Sequence, residues 1–239
     1  MKHIQPKTFQ IMVAILSTRK FSQRGLWRLC KSKHGISIGQ INKVVTELQQ
    51  KGFIERLWRT PASEAMVELG FIGEDTLDFD MGRANYILTD PVGLLRYISL
   101  FRSMNELRSF TLNVDASEEK VIAKLLRQDA VFCLGTAQEQ YTPYYRSDEV
   151  SFYSRNPNRI YSFFRTAKRG QTKVNCYSID YIRVRNEKLN LFQLLDSLFA
   201  HESEGMKITT KVQTVVDMFC DGKSTYTKPL LKSLWGVEI

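Results

Sequence analysis

The stretch Gly35–Trp58 constrains the fold of this chain more than any other part of its sequence. Between Ser37 and Lys51, apolar residues recur at intervals of three and four, the spacing that forms one buried stripe on a helix. These residues are Ile38, Ile41, Val44, Val45 and Leu48. Ser37 can cap the first turn, and Gly52 can adopt the left-handed conformation that ends a helix. Because the strand-like run Phe53–Trp58 follows at once, the sequence predicts a helix that passes directly into a strand.

The opposite face of the predicted helix is polar. At about 100° per residue, this face carries Gly39, Gln40, Lys43, Thr46 and Gln50, with Asn42 at its edge. Gln and Asn side chains can pair with the edge of adenine, and Lys can hold either a base or a phosphate. We therefore expect the exposed face of this helix to read DNA.

The basic charge of the chain is concentrated around this helix. The formal net charge of the whole chain is +9. Residues 1–58 hold eleven Lys and Arg against Glu47 and Glu55, which is a surplus equal to that of the whole chain. Basic charge confined to one small region is typical of a protein that binds a polyanion. The alternative is a basic surface that contacts only water.

Composition argues against membrane, secreted and metal-binding proteins. No apolar run approaches the ~20 residues of a membrane-spanning helix, and the N-terminus has no apolar signal core, so we expect a cytoplasmic protein. Cys30, Cys133, Cys176 and Cys220 lie far apart and form no CxxC pair. Because only three histidines accompany them, we expect no metal and no other cofactor.

Two more helices are expected before the first one described. The first is expected at Pro6–Leu16. The second is expected to be capped by Ser22 and to run to about Lys33. The expected core residues of the second are Leu26, Trp27, Leu29 and Cys30. Three short helices in about 50 residues have the spacing of a helix-turn-helix. The next strand is expected at Ala84–Leu88, which leaves an acidic insertion at about 60–83 in between.

Alternating strands and helices are expected in the rest of the chain. A helix beginning at Thr89-Asp90-Pro91 has the sequence of a capped start, and its Arg96 and Arg102 are expected to face water. From about Asn105 the pattern predicts a mixed α/β domain. Its strands are expected at Arg108–Val114, Ala130–Leu134, Glu149–Ser154 and Ile179–Val184, and its helices at Ser117–Leu126, Asn190–Phe199, Val212–Phe219 and Lys228–Leu234. Asn158–Thr166 and Lys173–Tyr177 are ambiguous.

Residues 6–90 resemble the winged-helix family of transcription regulators. The resemblance is strongest in Ile41–Leu48, Lys51–Ile54 and Tyr86–Thr89. It implies that the recognition helix enters the major groove and that the wing contacts the DNA backbone or the minor groove. The implied DNA contacts are Ser37, Gln40, Asn42, Lys43 and Thr46 on the helix and Arg56, Arg59 and Arg83 in the wing.

Two later segments are similar to the predicted antitoxin-regulators of abortive-infection (AbiE-type) systems. The segments are Phe132–Ala137 and Ile208–Met218. Those proteins place a winged helix before a nucleotidyltransferase-like α/β domain and repress their own promoter. The resemblance implies an autoregulatory function and a toxin-like protein partner for the C-terminal domain.

The residues themselves give little support for nucleotidyl transfer. Such enzymes bind Mg²⁺ through two carboxylates at alternate strand positions, after a Gly-Ser/Thr turn that contacts phosphate. Gly135-Thr136 is followed by Asp148, but Val150 occupies the position of the second carboxylate. Glu149 would point to the other side of the strand. We therefore expect no enzymatic activity.

The stretch Tyr141–Arg185 interleaves nine basic residues with ten aromatic residues. This mixture suits contacts with nucleic acid or with an acidic partner. It equally suits a strand-rich core with a basic outer face.

The sequence thus predicts an α+β or mixed protein in three parts. They are a winged helix-turn-helix at 1–90, a linking helix at 91–104, and an α/β domain with a degenerate nucleotidyltransferase-like pattern at 105–239. The predicted function is transcription regulation by binding double-stranded DNA through the helix 37–51. A homodimer is expected, because paired half-sites usually require one. The alternatives are a protein–protein module that neutralises a partner and, with less support, a nucleotidyltransferase.

Overall fold

The computed structural model describes residues 4–57, 85–142, 145–164, 170–179 and 199–238. The chain divides into two compact units, of which one is Lys7–Leu94 and the other is Leu95–Ile239 with the first six residues. Several predicted features lie outside the described residues. They are Arg59, Arg83, the acidic insertion at about 60–83, and all but one residue of each of the predicted elements Ile179–Val184 and Asn190–Phe199.

The described part of the first unit contains helices and a small antiparallel sheet. In chain order its elements are α1 (Pro6–Thr18), β1 (Lys20–Ser22), α2 (Gln23–His34), α3 (Ile38–Gln50), β2 (Ile54–Leu57) and β3 (Asn85–Leu88). Strand β3 lies between β1 and β2 and is antiparallel to both. Tyr86 of β3 stacks on Phe21 of β1, with ring centroids 5.6 Å apart. The short strand β1 was not predicted, since three residues are too few to show an alternating pattern.

Two residues that were predicted to be buried are exposed. Ile38 and Leu29 each expose 43% of their surface. The stripe that α3 buries consists of Ile41, Val44, Val45 and Leu48. Ile38 is the first residue of the helix and points about 70° away from the centre of that stripe, at about 100° per residue. The spacing rule therefore extended the stripe one residue too far towards the N-terminus.

Helix α4 (Pro91–Ser99) begins as its sequence predicts. The carboxylate of Asp90 accepts a hydrogen bond from the backbone N–H of Gly93 at 2.7 Å, which satisfies one of the free N–H groups of the first turn. Pro91 occupies a position at which no N–H is needed. A side chain at Gly93 would overlap the Asp90 carboxylate, so the glycine permits this cap.

The second unit is a mixed α/β structure, which confirms the predicted fold class at this level. Its described elements are α5 (Met104–Leu107), β4 (Arg108–Val114), α6 (Glu118–Leu125), β5 (Ala130–Phe132), α7 (Leu134–Glu139), β6 (Glu149–Ser154), α8 (Pro157–Tyr161), β7 (Thr172–Tyr177), β8 (Ala200–Ser203), β9 (Met206–Thr209), α9 (Lys211–Cys220) and α10 (Lys228–Trp235). The strands form one sheet in the order β4-β7-β6-β5-β9-β8. The pairs β6/β7 and β5/β9 are parallel, and the other neighbours are antiparallel.

The two faces of this sheet differ in polarity. One face is apolar, with Phe152 of β6 and Val174 of β7 packed in a core that includes Val121 and Leu125 of α6. The other face of the same strands carries Ser151, Tyr153 and Asn175, all of them buried. Because burying polar groups is costly unless they are hydrogen-bonded, the second face depends on specific polar contacts.

Arg102 makes such contacts, and the prediction that it faces water is wrong. It is 6% exposed, and its guanidinium lies 3.3 Å from the carboxylate of Asp217 in α9. The same carboxylate oxygen accepts hydrogen bonds from the Tyr153 hydroxyl at 2.9 Å and from the Gln213 amide at 2.8 Å. The helix pattern placed Arg102 on the side that faces solvent. It gave no indication of Asp217, which lies 115 residues later in the chain.

The hairpin formed by β8 and β9 was also not predicted. Glu204 and Gly205 join the two strands with positive φ angles of 49° and 78°, the conformation that a tight two-residue hairpin needs. Glycine adopts this conformation readily, whereas glutamate does not. The sequence signal for the turn was therefore weak.

Candidate nucleic-acid interface

Helix α3 is capped by its own first residues. The Ser37 hydroxyl accepts a hydrogen bond from the backbone N–H of Gln40 at 3.2 Å, and the Gln40 side-chain oxygen accepts one from the backbone N–H of Ser37 at 2.9 Å. This reciprocal arrangement is a capping box, which satisfies the free N–H groups of a helix start. It fixes the position at which the helix begins.

The other end of α3 is fixed by Gly52, as its sequence predicts. Gly52 has a φ of 76°, its N–H donates to the Gln49 carbonyl, and the N–H of Phe53 donates to the Leu48 carbonyl, both at 3.0 Å. This pair of bonds is a Schellman motif. The carbonyl of Phe53 in turn accepts hydrogen bonds from the N–H groups of Thr89 and Asp90. Helix α3 is thus tied both to β2 and to the chain that follows β3.

The face of α3 opposite the buried stripe is exposed. Asn42, Lys43 and Thr46 are exposed, together with Gly39 and Gln50. Within the described part of the chain, the side chains of Asn42, Lys43 and Thr46 make no hydrogen bond or ion pair. Their polar groups are therefore available to a ligand.

Ser37 and Gln40 differ from these three residues because the capping box uses their side chains. Bidentate pairing of a glutamine with adenine requires both the oxygen and the nitrogen of its amide. The oxygen of Gln40 is already bound to Ser37, so Gln40 would have to leave the cap to read adenine. Asn42 has no such constraint.

Exposed basic side chains are frequent among the described residues of the first unit. They are Lys7, Arg19, Lys20, Arg24, Arg28, Lys43, Lys51 and Arg56. Arg56 lies on β2, where it pairs with Tyr86 of β3. Lys7 also donates a hydrogen bond to the carbonyl of Gly35 at 2.9 Å, which joins α1 to the turn before α3. Apart from Lys43 and Arg56, these residues were not named as DNA contacts, although their contribution to the charge surplus pointed to them.

Gly135-Thr136 and Asp148, which were compared with the nucleotidyltransferase pattern, differ in their exposure. Thr136 lies inside α7 and is 1% exposed; its hydroxyl accepts a hydrogen bond from the N–H of Ser151 at 2.9 Å. Gly135 and Thr136 therefore form part of a buried helix. Asp148 is exposed beside Glu149. Among the described residues, no three His, Cys, Asp or Glu side chains gather in a way that could hold a metal ion.

Glu149 is held by two lysines. Its carboxylate lies 2.6 Å from the Lys223 ammonium and 2.8 Å from that of Lys173. Burial acts to raise the pKa of Glu149, but the hydrogen bonds from Lys173 and Lys223 outweigh it and lower the pKa to about 2. For Asp217 the balance is the opposite. Burial raises its pKa to about 6 from the ordinary value of 3.8, although Arg102, Tyr153 and Gln213 act against this shift.

The Asp217 carboxyl is expected to make the protein less stable as the pH rises from about 4 to about 6. In this range the unfolded chain has already lost the Asp217 proton, whereas the folded protein still binds it. The unfolded state then binds fewer protons, so the free energy of unfolding falls with rising pH, by about 3 kcal/mol for a shift of this size. Urea unfolding measured at several pH values between about 4 and 7 tests this for the protein and for Asp217→Asn. The variant should lack this fall, and a variant with the same pH profile would contradict the assignment.

The aromatic residues of Tyr141–Arg185 that the structure describes contribute mainly to the core. Phe152, Tyr153 and Tyr177 are 0–1% exposed, and the Tyr141 hydroxyl donates to the carbonyl of Thr209 at 2.5 Å. Tyr161 is 47% exposed, and Arg146 and Arg159 are exposed as well. The described part of this stretch therefore favours the interpretation of a core with a basic outer face.

Comparison of the chain with protein-family models, with curated proteins and with solved structures gives no match. Across the described residues, no helix combines the length and the apolar composition needed to cross a membrane.

Proposed function

We propose that the first unit is a winged helix that binds duplex DNA, and that the protein is a transcription regulator. The observation that carries the proposal is the exposed polar face of α3 within a unit whose described basic side chains are exposed. The order α1-β1-α2-α3-β2-β3 supports it, because a winged helix has a helix-turn-helix followed by an antiparallel wing. The major groove of B-DNA is about 12 Å wide and admits one α-helix.

In this proposal the residues of α3 have separate roles. Asn42 pairs with the edge of an adenine in the major groove, because its amide is exposed and makes no hydrogen bond to another described residue. Lys43 and Thr46 contact phosphate or a neighbouring base. Arg56 contacts phosphate from β2. Arg59 and Arg83, which lie outside the described residues, contact phosphate as well. Ser37 and Gln40 hold the first turn of the helix in place through the capping box.

The double variant Lys43→Ala/Arg56→Ala tests the proposal. The probe is a fluorescent duplex that the protein itself selects from a pool with a randomised centre, and affinity is measured by anisotropy. We expect the affinity to fall on the order of 10–100-fold at about 0.1 M salt, because two phosphate contacts are lost.

The matched control is Lys120→Ala/Lys228→Ala, which removes two exposed basic side chains of the second unit. This control changes the net charge by the same amount, so it should keep nearly all of the affinity if the contacts are local. Equal affinities for the two double variants, or no selected duplex at all, would refute the assignment of α3 and β2 as the DNA surface.

We also propose that the protein binds DNA as a homodimer and represses its own promoter. A helix-turn-helix unit usually reads one half-site, and two half-sites about one helical turn apart require two copies. The mass of the protein–DNA complex by light scattering distinguishes one copy from two on the selected duplex.

A further inference from the structure

Ile38 is an apolar side chain at the start of a polar helix face. It is the first residue of α3 and leaves 43% of its surface exposed. Asn42 follows four residues later, which places the two side chains next to each other along the helix. Covering the exposed part of this side chain with an apolar group would be favourable, so the position suits an apolar ligand group beside Asn42.

Gly39 next to it is not required by the folded chain. A Cβ atom at this position would meet only the Ser37 hydroxyl, at 3.9 Å, and the φ of Gly39 is not in the left-handed region. Glycine in a helix is less stable than alanine. What glycine provides at an open position is close approach of another molecule to the backbone.

The major groove offers one apolar group on its unmodified bases, which is the C5-methyl group of thymine. The N-terminal residues of a recognition helix are those that reach base edges. We propose that Ile38 contacts the C5-methyl group of a thymine, with Gly39 allowing the close approach and Asn42 reading an adenine nearby. This inference rests on the proposed function, since it names the base that the same surface would recognise.

The same chemistry extends to 5-methylcytosine, which presents its methyl group at the same place in the groove. A cytosine in place of the thymine should therefore be read better when it is methylated. The inference thus makes α3 a reader of pyrimidine methyl groups.

The test replaces thymines of the selected duplex by uracil, one position at a time. Uracil lacks only the C5-methyl group, so pairing and charge are unchanged. At one position the affinity should fall about 4-fold, the factor expected for removal of one methyl group from an apolar contact. In Ile38→Ala the same uracil should have no effect. Leu29→Ala is the matched control, because Leu29 is equally exposed; it should keep the full effect of uracil.

Gly39→Ala gives an independent reading. It should raise the unfolding temperature slightly, because alanine favours the helix, and yet lower the affinity for the selected duplex. Improved stability with unchanged affinity would overturn the role given to Gly39.

Different results would refute the methyl contact and the proposed DNA binding. If the protein selects a duplex but no uracil weakens binding, or if Ile38→Ala keeps the uracil effect, the methyl contact is wrong and DNA binding stands. If no duplex is selected, the proposed function itself is wrong. In the absence of DNA, Ile38→Ala and Leu29→Ala could both reduce the molecular mass in solution, which means fewer associated copies of the protein. Ile38 would then belong to a contact between protein copies, and the methyl contact is again refuted.

Discussion

Replacement of Asp217 by alanine is expected to lower the free energy of unfolding by about 3–5 kcal/mol at neutral pH. The Asp217 side chain is fully buried and accepts bonds from Tyr153 and Gln213 in addition to its ion pair with Arg102. Without the carboxylate, the charge of Arg102 would stay in a site that is 6% exposed. Leaving a buried charge without its counterion is among the most destabilising single changes in a protein.

Urea unfolding at about pH 7.5 measures this effect, and Glu238→Ala provides the control. Glu238 also forms an ion pair, with Lys232 at 2.5 Å, but both side chains are more than two-thirds exposed. An exposed pair contributes about 0–1 kcal/mol. A similar small loss for Asp217→Ala would contradict the importance of the buried pair.

The double variant Arg102→Met/Asp217→Leu distinguishes the contribution of the ion pair to stability from the contribution of packing at the same site. Removing both charges together is expected to restore much of the stability lost in Asp217→Ala, because a buried ion pair recovers little more than its own desolvation cost. The raised pKa of Asp217 agrees with this, since it means that burial outweighs the attraction of Arg102. If the double variant is as unstable as Asp217→Ala, the packing of the native side chains, and not the balance of charge, accounts for the stability of this site.

Binding of the selected duplex is expected to weaken steeply with salt. Each phosphate contact contributes about −0.9 to the slope of log affinity against log salt. If four of the eight exposed basic residues that are described in the first unit contact phosphate, the slope is about −3.6 and the affinity falls about 150-fold between 50 and 200 mM salt. This is the largest effect that we expect for DNA binding.

Anisotropy titrations over this range of salt give the slope directly. In Lys43→Ala/Arg56→Ala the slope should be shallower by about 2, because two of the contacts are missing. Affinity that hardly depends on salt would contradict an electrostatic interface, even if a duplex is bound.

Local signals in the sequence predicted the helix at the centre of the site, including both of its ends. Ser37 and Gly52 act within five residues of the groups that they satisfy, and Asp90 does so at the start of α4. Such short-range chemistry does not depend on the rest of the fold. The mixed α/β character of the second unit was predicted for the same reason, since its longer strands carry clear runs of apolar residues.

Features that depend on distant residues were not predicted. The burial of Arg102 requires Asp217 on another helix, and the burial of Thr136 requires a bond to strand β6. The exposure of Ile38 was missed because the spacing rule includes it in the stripe, although it lies about 70° from the centre of the stripe. Within the site, the sequence predicted that Ser37 caps the helix, whereas only the folded structure shows that the side chain of Gln40 completes the cap.

The pairing of Leu57 with Asn85 has a consequence for how this protein can change over evolution. Leu57 and Asn85, the described residues on either side of the segment 58–84, are therefore partners at one position of the sheet. Closing a loop at such a point becomes more costly only slowly with length, by about 0.6 kcal/mol for each doubling. A segment of different length or charge can therefore be placed here with little effect on α3 and its two ends.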